Sequence, residues 1–265
     1  MGLPEIFISF QTAAVSAITR SARGVLAVAV KDATAGGAAE AAYKSLAEVP
    51  EDKFSPENYR LLKLAFLAAP TKVWVLRVGE DAEKTYQALE RLRFDWLAAP
   101  GLEDARVMSF IKTLRSGGRG VKAVVANAKA PDCEGIVNLC VSGLTLEDGA
   151  MEAKDYAVRV AALLAALPLT RSATYVNLPE VVGCDALAEP DADVDAGKLI
   201  IVPGREGYRL GRAVNSLTTL TPDKAAPFQK IKIVEGIDLI RGDIAKAFES
   251  GYVGKVLNDY EKLSK

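Results

Sequence analysis

The chain has 265 residues, half of them hydrophobic and a quarter charged, which is the composition of a folded globular protein of one large or two modest domains. Its 33 Lys and Arg nearly balance 34 Asp and Glu, so a net charge of −1 gives no general attraction to nucleic acid or to an anionic membrane. Histidine is absent, which excludes Ser-His-Asp and Cys-His nucleophile systems, HExxH zinc sites and the commonest general base.

The opening Met1-Gly2-Leu3-Pro4-Glu5 lacks a basic n-region followed by an apolar run, so it does not read as a signal peptide. Ile6 stands where a myristoylation motif needs Ser or Thr. Glu5-Ile6-Phe7-Ile8-Ser9-Phe10 puts Ile6, Ile8 and Phe10 on one side, as a strand does, with Phe7 breaking the pattern. A Gln/Thr/Ala/Ser stretch follows. Val25 to Val30 is continuously apolar and predicts a strand buried on both faces. Asp32 to Ala42, rich in Gly, Ala and Thr, reads as a loop. Ser55-Pro56-Glu57 is a helix start, with Ser as cap and Pro at the first position, and the helix should run to about Ala69.

An alternation then begins. A strand over Val73–Val78 is followed by a helix over Asp81–Arg93, a short strand over Phe94–Ala98, a helix over Leu102–Arg115 and a strand over Val121–Ala126. Short links between such elements imply parallel strands joined by right-handed crossovers. Ile136–Val141 predicts a further strand, Asp155–Leu167 a helix and Ala173–Leu178 a strand, while acidic Asp185–Gly197 reads as an exposed loop or boundary. Lys198–Val202 and Tyr208–Val214 flank Gly204-Arg205-Glu206-Gly207 as a hairpin. Ile231 and Ile233 alternate with lysines and predict a short strand, followed by a helix from Ile237 to near Gly251. The remaining residues are polar without an obvious apolar face. The expected fold class is α/β, a largely parallel or mixed sheet flanked by helices, with a smaller, incomplete α+β C-terminal part.

The chemical candidates are few. Gly118-Arg119-Gly120-Val121-Lys122-Ala123 fits the G-x-G-x-x-A dinucleotide pattern, but a helix precedes it and a strand follows, the reverse of what a phosphate cradle needs. A helix C-cap is the better reading of those glycines. Asp191, Asp193 and Asp195 could offer oxygens to a divalent cation but lack EF-hand spacing. Arg205, Arg209 and Arg212 lie in one hairpin and could meet a phosphate, though an interface or surface pairing suits them better. Trp74 and Trp96 fall in predicted strands and read as core. Cys133, Cys140 and Cys184 form no CxxC and read as free thiols, and no cofactor or metal is expected. From the residues alone, a carboxylate-dependent or nucleotide-dependent α/β enzyme remains an alternative.

The later residues resemble a known family. Gly211-Arg212-Ala213-Val214-Asn215-Ser216-Leu217-Thr218-Thr219-Leu220 is followed by Phe228 to Glu235, Ile237 to Ile244 and Gly251 to Val256. This succession is similar to the sheath protein of contractile phage tails, in the compact form of Gram-positive phages and phage-tail-like bacteriocins. Gly2–Ile6, Arg20–Gly24 and Pro168–Tyr175 fit the same family. The resemblance implies a non-enzymatic subunit that stacks in six-fold rings around a tail tube, meets a baseplate and shortens irreversibly to drive the tube through an envelope. It implies sheath subunits, tube protein and baseplate as partners, with no nucleic acid and no membrane insertion, in a virion tail assembled in the bacterial cytoplasm. It further implies an N-terminal arm over residues 1–20 whose strand, Glu5, Ile6, Phe7, Ile8, Ser9 and Phe10, adds to a neighbour's sheet, a core over 21–185 and a partial C-terminal domain over 186–265. Gln11 through Gly24 could span ~46–50 Å if extended. Family members continue past Asn258–Glu261, so the chain is expected to be shortened at its C-terminus and to stay monomeric or a small oligomer.

Overall fold

A computed structural model describes residues 24–129 and 131–251, the last six as backbone alone. The arm strand expected over Glu5–Phe10 lies outside the described residues. The strands are β1 (Val25–Val30), β2 (Glu40–Tyr43), β3 (Lys72–Arg77), β4 (Trp96–Ala98), β5 (Lys122–Ala126), β6 (Ile136–Cys140), β7 (Thr145–Leu146), β8 (Gly149–Ala150), β9 (Asn177–Leu178), β10 (Val181–Gly183), β11 (Lys198–Gly204) and β12 (Gly207–Leu210). The helices are α1 (Pro56–Phe66), α2 (Ala82–Arg91), α3 (Asp104–Ser116), α4 (Ala153–Ala166), α5 (Pro190–Asp195) and α6 (Ile231–Gly251).

Nine strands form one sheet in the order β2-β3-β1-β4-β5-β6-β11-β12-β9, and β10-β7-β8 form a small antiparallel sheet. The six strands from β3 to β11 are mutually parallel, and β2, β12 and β9 add antiparallel edges. The sheet crosses the boundary expected near residue 185, because Leu199 of β11 registers with Leu139 of β6.

The apolar run of β1 is buried because helices cover both faces. Leu26 and Val28 pack with α1 and α4, whereas Ala27 and Ala29 face α2 and α3. Helix α4 is buried nearly all round, from Tyr156 to Ala165, as suits a helix between a sheet and a second helix. At the head of α1, Ser55 caps Asn58 N at 3.2 Å and Pro56 occupies the first position, as expected. Leu67, at its end, is 60% exposed.

Several elements differ from the sequence reading, which anticipates none of β7, β8 and β10. Glu40–Tyr43, within the expected loop, pairs with β3, an edge that its alanines do not advertise. Only Asn177 and Leu178 of the stretch 173–178 pair as strand. Pro190 starts a short helix, with Asp191 and Asp193 in its first turn, where a loop was expected. Ile231 begins α6 rather than a strand: Ile231 and Val234, three apart, are the buried residues, so the helical period prevails over the Ile231/Ile233 alternation.

Candidate functional site

The residues that carry the family resemblance turn inward. Asn215 is fully buried; its side chain donates to Phe228 O at 2.7 Å and accepts from Leu217 N at 3.1 Å. Ser216 donates its amide to Ile136 O at 2.9 Å, and its hydroxyl donates to Cys133 O and accepts from Cys133 N. Thr218 N and Oγ1 and Thr219 N all donate to one Asp132 oxygen, at 2.8, 3.2 and 2.9 Å. Those amides hold the Asp132 carboxyl far below the usual carboxylate range. Leu217 is buried, whereas Arg212 is exposed beside a cavity of about 280 Å³. This segment is a clasp: it ties the chain after β12 to the head of β6 and sets where α6 begins.

Beneath α6 lies a second polar cluster. Arg115 of α3 forks onto Asp238 of α6, Nη1 to Oδ2 at 2.9 Å and Nη2 to Oδ1 at 3.2 Å, and its Nε approaches Glu134 at 3.3 Å. Lys122 Nζ reaches Asp238 at 3.4 Å and sits over the Trp96 ring. Trp96 Nε1 donates to Glu235 at 3.0 Å. Burial pushes the Glu235 carboxyl up, against the pull of Lys122 and the indole. Burial would also raise Glu134, but the Lys224 ammonium at 2.9 Å, its own backbone amide and the Arg115 guanidinium together outweigh it and bring that carboxyl down. Arg115, Lys122 and Lys224 are each paired with Glu134 or Asp238, so removing one of these carboxylates would leave a cation without its partner.

Sequence reasoning missed this cluster. The strand expected at Ile231–Ile233 hid the three-residue spacing that puts Glu235 and Asp238 on one side of a helix. The outer side of α6 carries Ile233, Ile240 and Ile244, exposed to 39, 61 and 53%.

The other candidates resolve into structure. Gly118 sits just past α3 with φ +89°, its amide donating to Arg115 O, as a helix cap does. Asp193 pairs with Lys198 at 2.7 Å, and among the described residues no group of three or more Cys, Asp or Glu could hold a metal ion. Arg205 is in the exposed hairpin turn, Arg209 lies 4.1 Å over the Tyr175 ring, and Arg212 faces the cavity beside Asp195, so their surroundings differ. Trp96 is buried core, whereas Trp74 is half-buried beneath Lys72. The three cysteines are free thiols.

The chain is 35% identical over 279 aligned positions to the tail sheath protein of Clostridium phage phiCD119, covering 98% of this chain and 76% of that protein. The chain belongs to the phage tail sheath family. No family profile matches it. The sheath's fold recurs in the sheath tail protein of Listeria innocua, with TM-score 0.77 and 18% identity over 91% of this chain and 80% of that one. It recurs also in the contracted helical sheath of the anti-feeding prophage, with TM-score 0.67 and 12% identity over 100% of this chain and 80% of that chain. A structural sheath role, rather than the α/β enzyme kept as an alternative, is what these relationships support.

Proposed function

We propose that this sheath protein is a mechanical subunit without a catalytic step. Copies polymerise in a helical array of six-fold rings around a tail tube, anchored on a baseplate, and contraction of the array drives the tube through a cell envelope. The observation that carries this is the 35% identity to a tail sheath protein along 98% of the chain. The inward-turned clasp and the ion-paired cluster are consistent with it, since their polar groups hold the body rigid.

We assign Glu5 to Phe10 as the strand that a neighbouring subunit's sheet receives, main-chain bonds giving affinity and the Ile6/Ile8/Phe10 side giving register. Residues 1–20 serve as the arm, and assembly takes place in the bacterial cytoplasm, ending in the virion tail. No described helix is long and apolar enough to cross a membrane. Deleting the gene in its own phage or prophage should leave tubes without a sheath. Normal contractile tails in the deletion would refute the proposal. Complementation with an Ile6→Asp, Ile8→Asp variant should yield a folded subunit that fails to enter sheath; unchanged incorporation would refute the arm assignment.

A further inference from the structure

The two ends of β11 carry opposite charge. Before it, Glu189, Asp191, Asp193 and Asp195 stand in or beside α5 with no base among them. Asp193 turns inward and pairs with Lys198. Asp191 and Asp195, four apart and therefore on one side of the helix, are exposed, and neither carboxylate has a partner among the described residues. Asp195 also closes α5 at its C-terminal end, where free carbonyls disfavour a carboxylate. Arg212 lines the same cavity as Asp195 without pairing to it.

The far end of β11 is basic. Arg205 stands in the exposed turn to β12, and Arg209 lies on β12 opposite Val202. A Cβ on Gly204 would meet Arg209 Cδ at 3.4 Å, so the arginine stem runs back beside that turn. Its guanidinium lies 4.1 Å over the Tyr175 ring. Tyr175 is 57% exposed and is held at φ +60°, a left-handed conformation unfavourable for a bulky side chain, while its amide bonds to Leu210 O and Gly211 O. Arg60, Arg106, Arg115 and Arg159 each pair with a carboxylate. Arg209 pairs with none among the described residues, and its Nε is buried without an acceptor. A guanidinium stacked on an aromatic ring with its edge free suits a carboxylate, which it can grip with two parallel hydrogen bonds.

The seven residues of β11 rise ~3.3 Å each, so the strand holds its acidic and basic ends ~20 Å apart in one copy. We propose that the exposed side of α5 in one copy docks on the Arg209–Tyr175 platform of a second copy, Asp191 and Asp195 meeting Arg209 and Arg205. The contact joins unlike surfaces, so it can repeat from copy to copy. Its place in a helical array rests on the sheath reading above.

Sedimentation velocity of the purified full chain tests the contact without requiring sheath to assemble, so it can fail while the sheath reading stands. Association of the parent is expected at about 10 mM salt, where charges are screened over ~30 Å, and its loss at about 1 M, where they are screened over ~3 Å. The pair Arg205→Glu, Arg209→Glu and the pair Asp191→Arg, Asp195→Arg should each weaken self-association at least ~10-fold with native circular dichroism. An equimolar mixture of the two variants, in which every reversed face meets its complement, should regain the parent affinity within about threefold. A folded parent that stays monomeric at low salt, association indifferent to salt, or a mixture no tighter than its components would overturn the proposal.

Discussion

Replacing Asp238 with Ala tests whether α6 is locked by charge. The carboxylate is 8% exposed and serves two buried cations, Arg115 at 11% and Lys122 at 6%. Removing one partner of a buried pair costs ~3–5 kcal/mol, because the remaining charge is left uncompensated in a poor solvent. Here Arg115 keeps Glu134 at 3.3 Å and Val121 O at 3.1 Å, and Lys122 keeps Gly120 O at 3.2 Å and the Trp96 ring. Those retained contacts place the expected loss at the lower end, about 3 kcal/mol. For a chain of this size that is a fall of roughly 6–12 °C in melting temperature. The control is Glu83→Ala, which breaks the Arg106–Glu83 pair whose partners are 52 and 51% exposed, and should cost at most ~1 kcal/mol. Differential scanning calorimetry reads both. Amide exchange should show the loss concentrated in α6. An Asp238→Ala variant within 1 kcal/mol of the parent would refute the locked-helix reasoning.

Asn215→Ala strands Phe228 O and Leu217 N, so urea unfolding should show a loss of roughly 1–3 kcal/mol for each group left without a partner. Asp32 links stability to acid: burial raises its carboxyl, but the amides of Ser55 and Thr34 and the side chains of Thr34 and Asn58 outweigh that and hold it at about 2. A carboxylate depressed in the fold stabilises above its unfolded value near 3.8, so a pH titration of stability should fall from about pH 4 toward pH 2, and Asp32→Asn should flatten that fall. Gly118→Ala meets no atom within 4 Å and pays only for φ +89°, so it should cost about 1 kcal/mol by thermal melting, and calorimetry with a dinucleotide should show no heat in either form.

The parallel α/β body was legible because its signals are local. The two-faced apolar run at Val25–Val30, the Ser55-Pro56 helix start and the Val107/Ile111 spacing each fix an element regardless of what surrounds it. The misread elements take their form from distant partners. Glu40–Tyr43 is a strand by its pairing with the edge of β3, and Gln229, two residues before α6, is held by Asn215 N across fourteen residues of chain. Of the motif Arg212–Thr218, Asn215 and Ser216 are buried, so their hydrogen bonds are internal to the fold. The cluster of Trp96, Arg115, Lys122, Glu134, Glu235 and Asp238 draws on five separate stretches, with up to 139 residues between hydrogen-bonded partners, so no spacing rule could have assembled it.

The sheath assignment is tested most directly by immunogold electron microscopy of particles induced from the chain's own host, using antibody raised against the purified chain. Label is expected along the whole tail between head and baseplate, covering a shorter and wider stretch once the tail has contracted. Label absent from the tail, or confined to soluble cell contents while sheathed tails are present, would contradict it.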